Sequence, residues 1–280
     1  MRIKRGSLNK MKINDVLRRN DGIDIEKKKF ALGQVLSLSL VDVSLASDRE
    51  LSFYNYIKYL YVINKLSKGV PIQYISHKAY FYNRWFRVNK YTLIPRVETE
   101  YLVDDILKLI DKYFSSSVKF LDIGTGSGAI AISLAEESDR FIVAATDISR
   151  RALRVAKSND KDSLVRFIHT DLYSSVNEKF DVIVSNPPYI RNDSSDVDFN
   201  VLKYEPHLAL FGGDDGLLFY RRIFSDIKRI VNEKNIICFE TGEGQNDLIE
   251  DIAKKYFPNA KIIKKNDLNG FNRYIFIINE

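Results

Sequence analysis

The chain carries one cysteine, Cys238, three histidines and one tryptophan in 280 residues. A single thiol excludes an intramolecular disulfide. Inside the apolar run Ile236-Ile237-Cys238-Phe239 it reads as a small buried hydrophobe in a reducing cytoplasm. His77, His169 and His207 are scattered and, with that one cysteine, offer no zinc-like spacing, so no metal is expected. No apolar run approaches the roughly 20 residues that span a bilayer, which argues against a membrane partner. The basic start of the chain, residues 1–20, lacks the continuous apolar segment of a secretory signal. A cytoplasmic location is the expectation. The formal charge of +6 is spread along the chain with 37 acids interleaved, so it lends only slight weight to a phosphate-rich partner.

What is present is a 45% hydrophobic composition with two different rhythms. Residues 1–24 are polar and read as loosely held. Over residues 27–66, apolar positions such as Phe30, Leu32, Val35, Leu36, Leu40 and later Tyr56, Ile57, Leu60, Ile63 recur at helical spacing. Gly69-Val70-Pro71 breaks that pattern, and Ala79-Tyr80-Phe81-Tyr82, a turn at Asn83-Arg84 and Trp85-Phe86-Arg87-Val88 predict a hairpin. The expected organisation is a helical domain over residues 1–76, a β-hairpin linker over 77–97 and an α/β domain over 98–280.

In that last domain the pattern predicts helices at 99–113, 129–136, 150–158 and 216–231. It predicts strands at 118–123, 141–146, 165–169, 180–185, 235–241, 260–263 and 273–279. Strands alternating with helices imply a mostly parallel sheet covered on both faces. Too few residues separate the last two strands for a crossover, so they should pair antiparallel.

The segment Leu121-Asp122-Ile123-Gly124-Thr125-Gly126-Ser127-Gly128-Ala129 joins a strand to a helix through a glycine loop. Such loops lie at the carboxyl edge of the sheet, where α/β folds bind ligands. Gly124, Gly126 and Ala129 fit a dinucleotide fingerprint, with Asp147 near the offset of a ribose ligand. Asp122, two residues before the first glycine, suits instead the α-ammonium of S-adenosylmethionine, and Asp147 serves a ribose in either case. A tight structural turn is the plain alternative, but an acid closing each of the first two strands favours a nucleoside-type cofactor. Asp171-Leu172, after the third strand, stands where an adenine would be contacted; a turn cap and a core leucine explain the pair equally well.

Ser185-Asn186-Pro187-Pro188-Tyr189 follows the strand 180–185. The prolines stiffen the backbone and remove two amide donors, so the Pro187 carbonyl and the Asn186 side-chain oxygen become acceptors suited to one NH2 group. Tyr189 offers a flat face for a planar amide or base. Methyl transfer to an amide nitrogen needs its lone pair aimed at the methyl carbon, and two acceptors holding the N–H groups achieve that in the transition state. The sulfonium departs as a neutral thioether, so no strong base is required. A proline turn capped by Asn186 is the bland alternative, which the neighbouring acidic strand ends make weaker.

With these residues the chain resembles the release factor glutamine-N5 methyltransferases from about Lys27 onward. The likeness rests on Gly69-Val70-Pro71-Ile72-Gln73-Tyr74, Leu93-Ile94-Pro95-Arg96-Val97-Glu98-Thr99-Glu100, the glycine loop, Asp147-Ile148-Ser149, Asn186-Pro187-Pro188-Tyr189 and Tyr204-Glu205-Pro206. It implies a class I S-adenosylmethionine-dependent methyltransferase domain, a seven-stranded mostly parallel sheet whose last strand is antiparallel, beside a small helical N-terminal domain that docks the release factor. It also implies transfer to the glutamine of a Gly-Gly-Gln loop, held by Asn186, Pro187, Pro188 and Tyr189, with Phe81 near the pocket. Asp122, Gly124, Thr125, Gly126, Ser127, Gly128, Asp147, Asp171, Leu172 and Asn186 would meet the cofactor. The chain departs from the family in carrying His77 for a glycine, Val97 for a proline and Leu172 for a frequent aromatic. The rival readings are an adenine amino-methyltransferase acting on nucleic acid and a nucleotide-binding dehydrogenase or silent module. The acidic character of residues 191–200 and the lack of a target-recognition insertion weigh against a stable nucleic-acid partner.

Overall fold

Three polar side chains start the helices of the N-terminal region. Asp24 accepts from the amides of Glu26 and Lys27 to open α2 (Ile25–Leu36), Ser39 with Asp42 forms a reciprocal capping box for α3 (Leu40–Leu45), and Ser52 caps α4 (Phe53–Ser67). These helices, with α1 (Ile13–Leu17) and α5 (Ile72–Ser76), enclose a small core that includes Ile13, Val16, Leu32, Val43, Tyr59 and Ile63. Two short strands, β1 (Met11–Lys12) and β2 (Glu50–Leu51), pair antiparallel beside them. The computed structural model describes residues 11–280, and the chain divides between Ser76 and His77 into two units.

The loosely held start expected for residues 1–24 is corrected from Met11 onward; residues 1–10 lie outside the described part. Ile13 and Val16 have no exposed surface, because the region's few apolar groups need every available partner. The helical pattern of residues 27–66 is cut into three helices, the first ended by Ser37 at φ 56°. Lys28, nearly sealed from solvent, is satisfied by the Asp21 carboxylate at 2.8 Å and the Arg19 carbonyl at 2.5 Å.

The second unit opens with the hairpin β3 (Lys78–Phe81) and β4 (Arg84–Arg87). Its turn is Tyr82-Asn83, both at positive φ, one residue earlier than the expected Asn83-Arg84. The hairpin is no free linker: Phe81 and Phe86 are wholly buried in the unit's core, and Asn159 accepts from the Arg87 amide at 2.7 Å. The remaining elements are α6 (Val97–Tyr113), β5 (Val118–Ile123), α7 (Ala129–Glu137), β6 (Phe141–Asp147), α8 (Arg150–Asn159), β7 (Val165–His169) and β8 (Phe180–Ser185). They continue with α9 (Phe199–Tyr204), α10 (Leu218–Ser225), β9 (Val231–Glu240), α11 (Asn246–Tyr256), β10 (Lys261–Asn266) and β11 (Asn272–Asn279).

Seven of these strands form one sheet in the order β10-β11-β9-β8-β5-β6-β7, parallel except for β11, which runs antiparallel to both neighbours. One hydrophobic cluster covers each face, which is why Phe120-Leu121 of β5 and Val182-Ile183-Val184 of β8 are apolar toward both sides rather than alternating. The helix expected over 216–231 ends at Ser225, and Val231 already belongs to β9. Helix α11 was not anticipated; it is the crossover that lets β10 lie beyond β11. Strands β5, β6, β7 and β8 end side by side, so the chemistry-bearing turns of the sequence meet at one edge.

Candidate active site

The turn after β5 is a strand end folded back on its neighbour. The amides of Gly124 and Thr125 both donate to the Thr146 carbonyl of β6 at 2.9 Å. The Gly126 amide donates to Asp147 Oδ2 at 2.9 Å, and the Ser149 amide to Oδ1 at 2.7 Å. Asp147 therefore ties the glycine loop to the start of α8. Each of its oxygens keeps one acceptor direction for a ligand hydroxyl. Burial pushes its pKa up despite those two donors.

Beside this loop lies a cavity of about 300 Å³. Gly124 and Gly126 stand at φ 77° and 57° with open space where a Cβ would project, so the loop leaves a cradle that side chains would fill. Of the residues singled out in the sequence, Phe81, Gly124, Thr125, Gly126, Ser127, Asp147, Asp171, Leu172, Asn186, Pro187 and Pro188 line this cavity. Asp122, Gly128 and Tyr189 do not reach its wall.

The reasons differ. Gly128 caps α7, and a Cβ there would come within 2.8 Å of the Ile132 side chain; its constraint is packing. Asp122 is sealed behind the loop, where Oδ2 accepts from the Thr125 hydroxyl at 2.6 Å and Oδ1 has no close donor among the described residues, the Ala131 amide being the backbone group that favours its charge. Loss of hydration and the neighbouring Asp147 charge raise its pKa to about 7. Its direct meeting with a ligand ammonium is not what the geometry offers: Asp122 orients Thr125, and Thr125 faces the cavity. Tyr189 packs its ring on the second core cluster, and burial lifts its hydroxyl to about 12.

Asn186 and the two prolines sit at the carboxyl end of β8. Ser185 Oγ donates to the Ile123 carbonyl at 2.6 Å, which brings this turn against the glycine loop. The turn is clamped from outside by Gln245 Nε2 donating to the Tyr189 carbonyl at 2.9 Å and by the Ile190 amide donating to Leu210 O at 3.0 Å. Asn186 Nδ2 donates to Thr99 Oγ1 at 3.3 Å, and Thr99 Oγ1 donates to Glu240 Oε2 at 2.6 Å. The amide nitrogen is thereby engaged, which leaves Oδ1 as the acceptor.

Several wall residues were missed by sequence reasoning. Arg96, on the cavity wall, pairs with the buried Glu205 at 2.5 Å while the Ile94 amide donates to the other Glu205 oxygen at 3.1 Å. This joins the Leu-Ile-Pro-Arg segment to the loop beyond Asn-Pro-Pro-Tyr; both segments were noticed, but nothing in their order announced the pairing. Arg222 of α10 pairs with Asp171 at 2.8 Å at the end of the cavity near β7. Leu172 holds φ 49°, an unusual strain for a leucine, on the same wall. His77 likewise sits at φ 57°, which accounts for the glycine expected there.

Comparison with known proteins adds four findings. The profile of the methyltransferase small domain family matches residues 99–203. A release factor glutamine methyltransferase of Bacillus anthracis is 37% identical over 263 residues, 91% of this chain and 93% of that protein. One of Bacillus subtilis is 43% identical over 216 residues, 74% of this chain and 75% of its own length. Among solved structures, the T. thermophilus 16S rRNA N2 G1207 methyltransferase, in complex with AdoMet and guanosine, superposes with a TM-score of 0.50 at 13% identity. It covers 72% of this chain and 50% of that one, a likeness of fold.

Proposed function

The chain belongs to the release factor glutamine methyltransferases, and from that premise we propose that it transfers a methyl group from S-adenosylmethionine to the side-chain amide of the Gly-Gly-Gln glutamine of peptide chain release factors. The observation that carries the site assignment is the convergence of the glycine loop, Asp147 and Asn186-Pro187 on one cavity. A volume of about 300 Å³ lies at the small end of ligand pockets. The open cradle at Gly124 and Gly126 and the spare acceptor directions of Asp147 fit a nucleoside with two ribose hydroxyls. Thr125, Gly126, Asp147, Asp171 and Leu172 would hold it, and the cofactor supplies an electrophilic methyl on a sulfonium.

The residues of the chain orient the acceptor. Asn186 Oδ1 and the Pro187 carbonyl take the two N–H bonds of the glutamine amide, which turns the nitrogen lone pair away from them and toward the cofactor side of the cavity. Nothing in this needs a general base. As the N–C bond forms the S–C bond would break to leave a neutral thioether, and the methylated nitrogen, acidic once it has lost its amide resonance, would release its proton to solvent. The advantage is concentrated in the transition state, because the hydrogen bonds strengthen as the nitrogen becomes pyramidal. Tyr189, off the wall, would act by stiffening the turn; stacking on the amide requires its ring to leave the second core cluster.

The helical unit ending at Ser76 would dock the release factor. It presents Phe53, Tyr54 and Tyr61, each more than half exposed. Asp193, Asp196 and Asp198 follow the Asn-Pro-Pro-Tyr turn in the sequence, and this acidic segment, in which Arg191 pairs with Asp193, favours a protein over a nucleic-acid acceptor. Among the described residues no helix is long and apolar enough to cross a membrane, and a cytoplasmic location alongside translation suits this substrate. The test is incubation with labelled cofactor and purified release factor: label on the Gly-Gly-Gln glutamine is expected, and its absence refutes the reading.

A further inference from the structure

Glu240 ends β9, the strand beside β8, with 2% of its surface exposed and no place on the cavity wall. Methyl transfer as described above makes no use of it. Yet its Oε2 receives the only proton of the Thr99 hydroxyl at 2.6 Å, so Thr99 Oγ1 can only accept from Asn186 Nδ2. The Asn186 amide also lies on the side of the carboxylate and favours its charged form. The two ends of an asparagine amide are nearly the same size, so packing alone does not choose between them. A flipped Asn186 would set its NH2 against the acceptor NH2 of the substrate, two donors facing each other.

We infer that Glu240 is a positioning residue which, through the Thr99 hydroxyl, selects the Asn186 orientation that turns Oδ1 toward the methyl-accepting NH2. This rests on the role given to Asn186 above. A Glu240 protonated on Oε2 reverses the chain: its own hydrogen goes to Thr99, the Thr99 hydrogen goes to Asn186, and only Oδ1 can accept it. The reversal requires no movement of backbone.

The surroundings favour such a reversal near neutrality. Burial raises Glu240 to about 7 against the opposing pull of Arg273 from β11, and Glu98 of α6 adds a like charge. Tyr189, Tyr220 and Tyr274 also face it. The Tyr220 hydroxyl is engaged on the Glu240 backbone carbonyl at 2.8 Å and that of Tyr274 on the Glu98 carbonyl at 2.6 Å, so neither competes for the carboxylate.

The experiment uses the full chain labelled with 15N-asparagine, together with Glu240→Gln, Thr99→Val and Thr99→Ser. The Asn186 side-chain amide resonances should move with pH through the neutral range in the wild type and stay still in Glu240→Gln. Turnover at saturating cofactor should fall about tenfold or more in Thr99→Val, with KM for S-adenosylmethionine unchanged, and return to near wild type in Thr99→Ser. An Asn186 amide that ignores pH in the wild type overturns the inference. So does a Thr99→Val enzyme with full turnover, or one whose cofactor KM rises in step with its loss. Should Thr99→Val fail to fold, the wild-type titration decides alone. The resonance measurement needs no acceptor, so a protein that leaves release factors unlabelled while Asn186 follows Glu240 loses the substrate assignment and keeps this one.

Discussion

Asp122→Asn isolates the cost of a buried carboxyl. In the fold its pKa is raised from 3.8 to about 7, chiefly by burial. A raised acid binds its proton more tightly in the folded chain than in the unfolded one, so its contribution is most favourable below pH 3.8 and is lost as pH rises toward 7. From those two values the penalty is about 2 kcal/mol at pH 5 and about 4 kcal/mol at pH 8. Asparagine keeps an acceptor for the Thr125 hydroxyl but adds a buried NH2, a cost that is the same at both pH values. The stability difference between variant and wild type should therefore shift by about 2–3 kcal/mol in the variant's favour between pH 5 and pH 8. Urea titrations followed through Trp85, the single tryptophan and a member of the second unit, measure this directly. Glu240, raised from 4.5 to about 7, leaves a pH dependence of the same sign in both proteins. Parallel stability curves for variant and wild type would refute the assignment of a strained carboxylate at Asp122.

Three other outcomes are expected. Asn186→Ala should lower turnover about a hundredfold or more while cofactor affinity, read by calorimetry, stays close to wild type; equal losses in both would make Asn186 chiefly structural. His77→Gly should raise stability by about 0.5–1 kcal/mol in denaturant titration, since an exposed histidine at φ 57° gives up left-handed strain that exceeds the added freedom of glycine when unfolded. Glu205→Ala should cost about 2–3 kcal/mol, because it strands both the Ile94 amide and Arg96, which keeps a third of its side chain in solvent and so recovers part of the loss. That variant should also weaken methyl transfer, as Arg96 stands on the cavity wall.

Periodicity and turn chemistry, which are local, carried much of the architecture. The apolar runs of β5, β7 and β8 could be bounded to the residue because glycine or proline turns or polar stretches end them, and the antiparallel end of the sheet followed from the short connection before β11. The glycine loop, Asp147 and Asn-Pro-Pro-Tyr were legible for the same reason: each is a continuous segment whose backbone demands are written in its own residues. Helix α11 carries Ile249, Ile252, Ala253 and Tyr256 at helical spacing, a stripe legible in the sequence but passed over among its charges, and α10 stops early because the chain must turn to enter β9. What only the tertiary structure decided is which side chains meet across distant segments. Thr99, Glu240 and Asn186 are separated by up to 141 residues, as are Arg96 and Glu205 by 109, and no local rule relates them. The same packing withdrew Asp122, Gly128 and Tyr189 from the cavity wall, since whether a strand-end residue faces ligand or core depends on what the sheet stacks behind it.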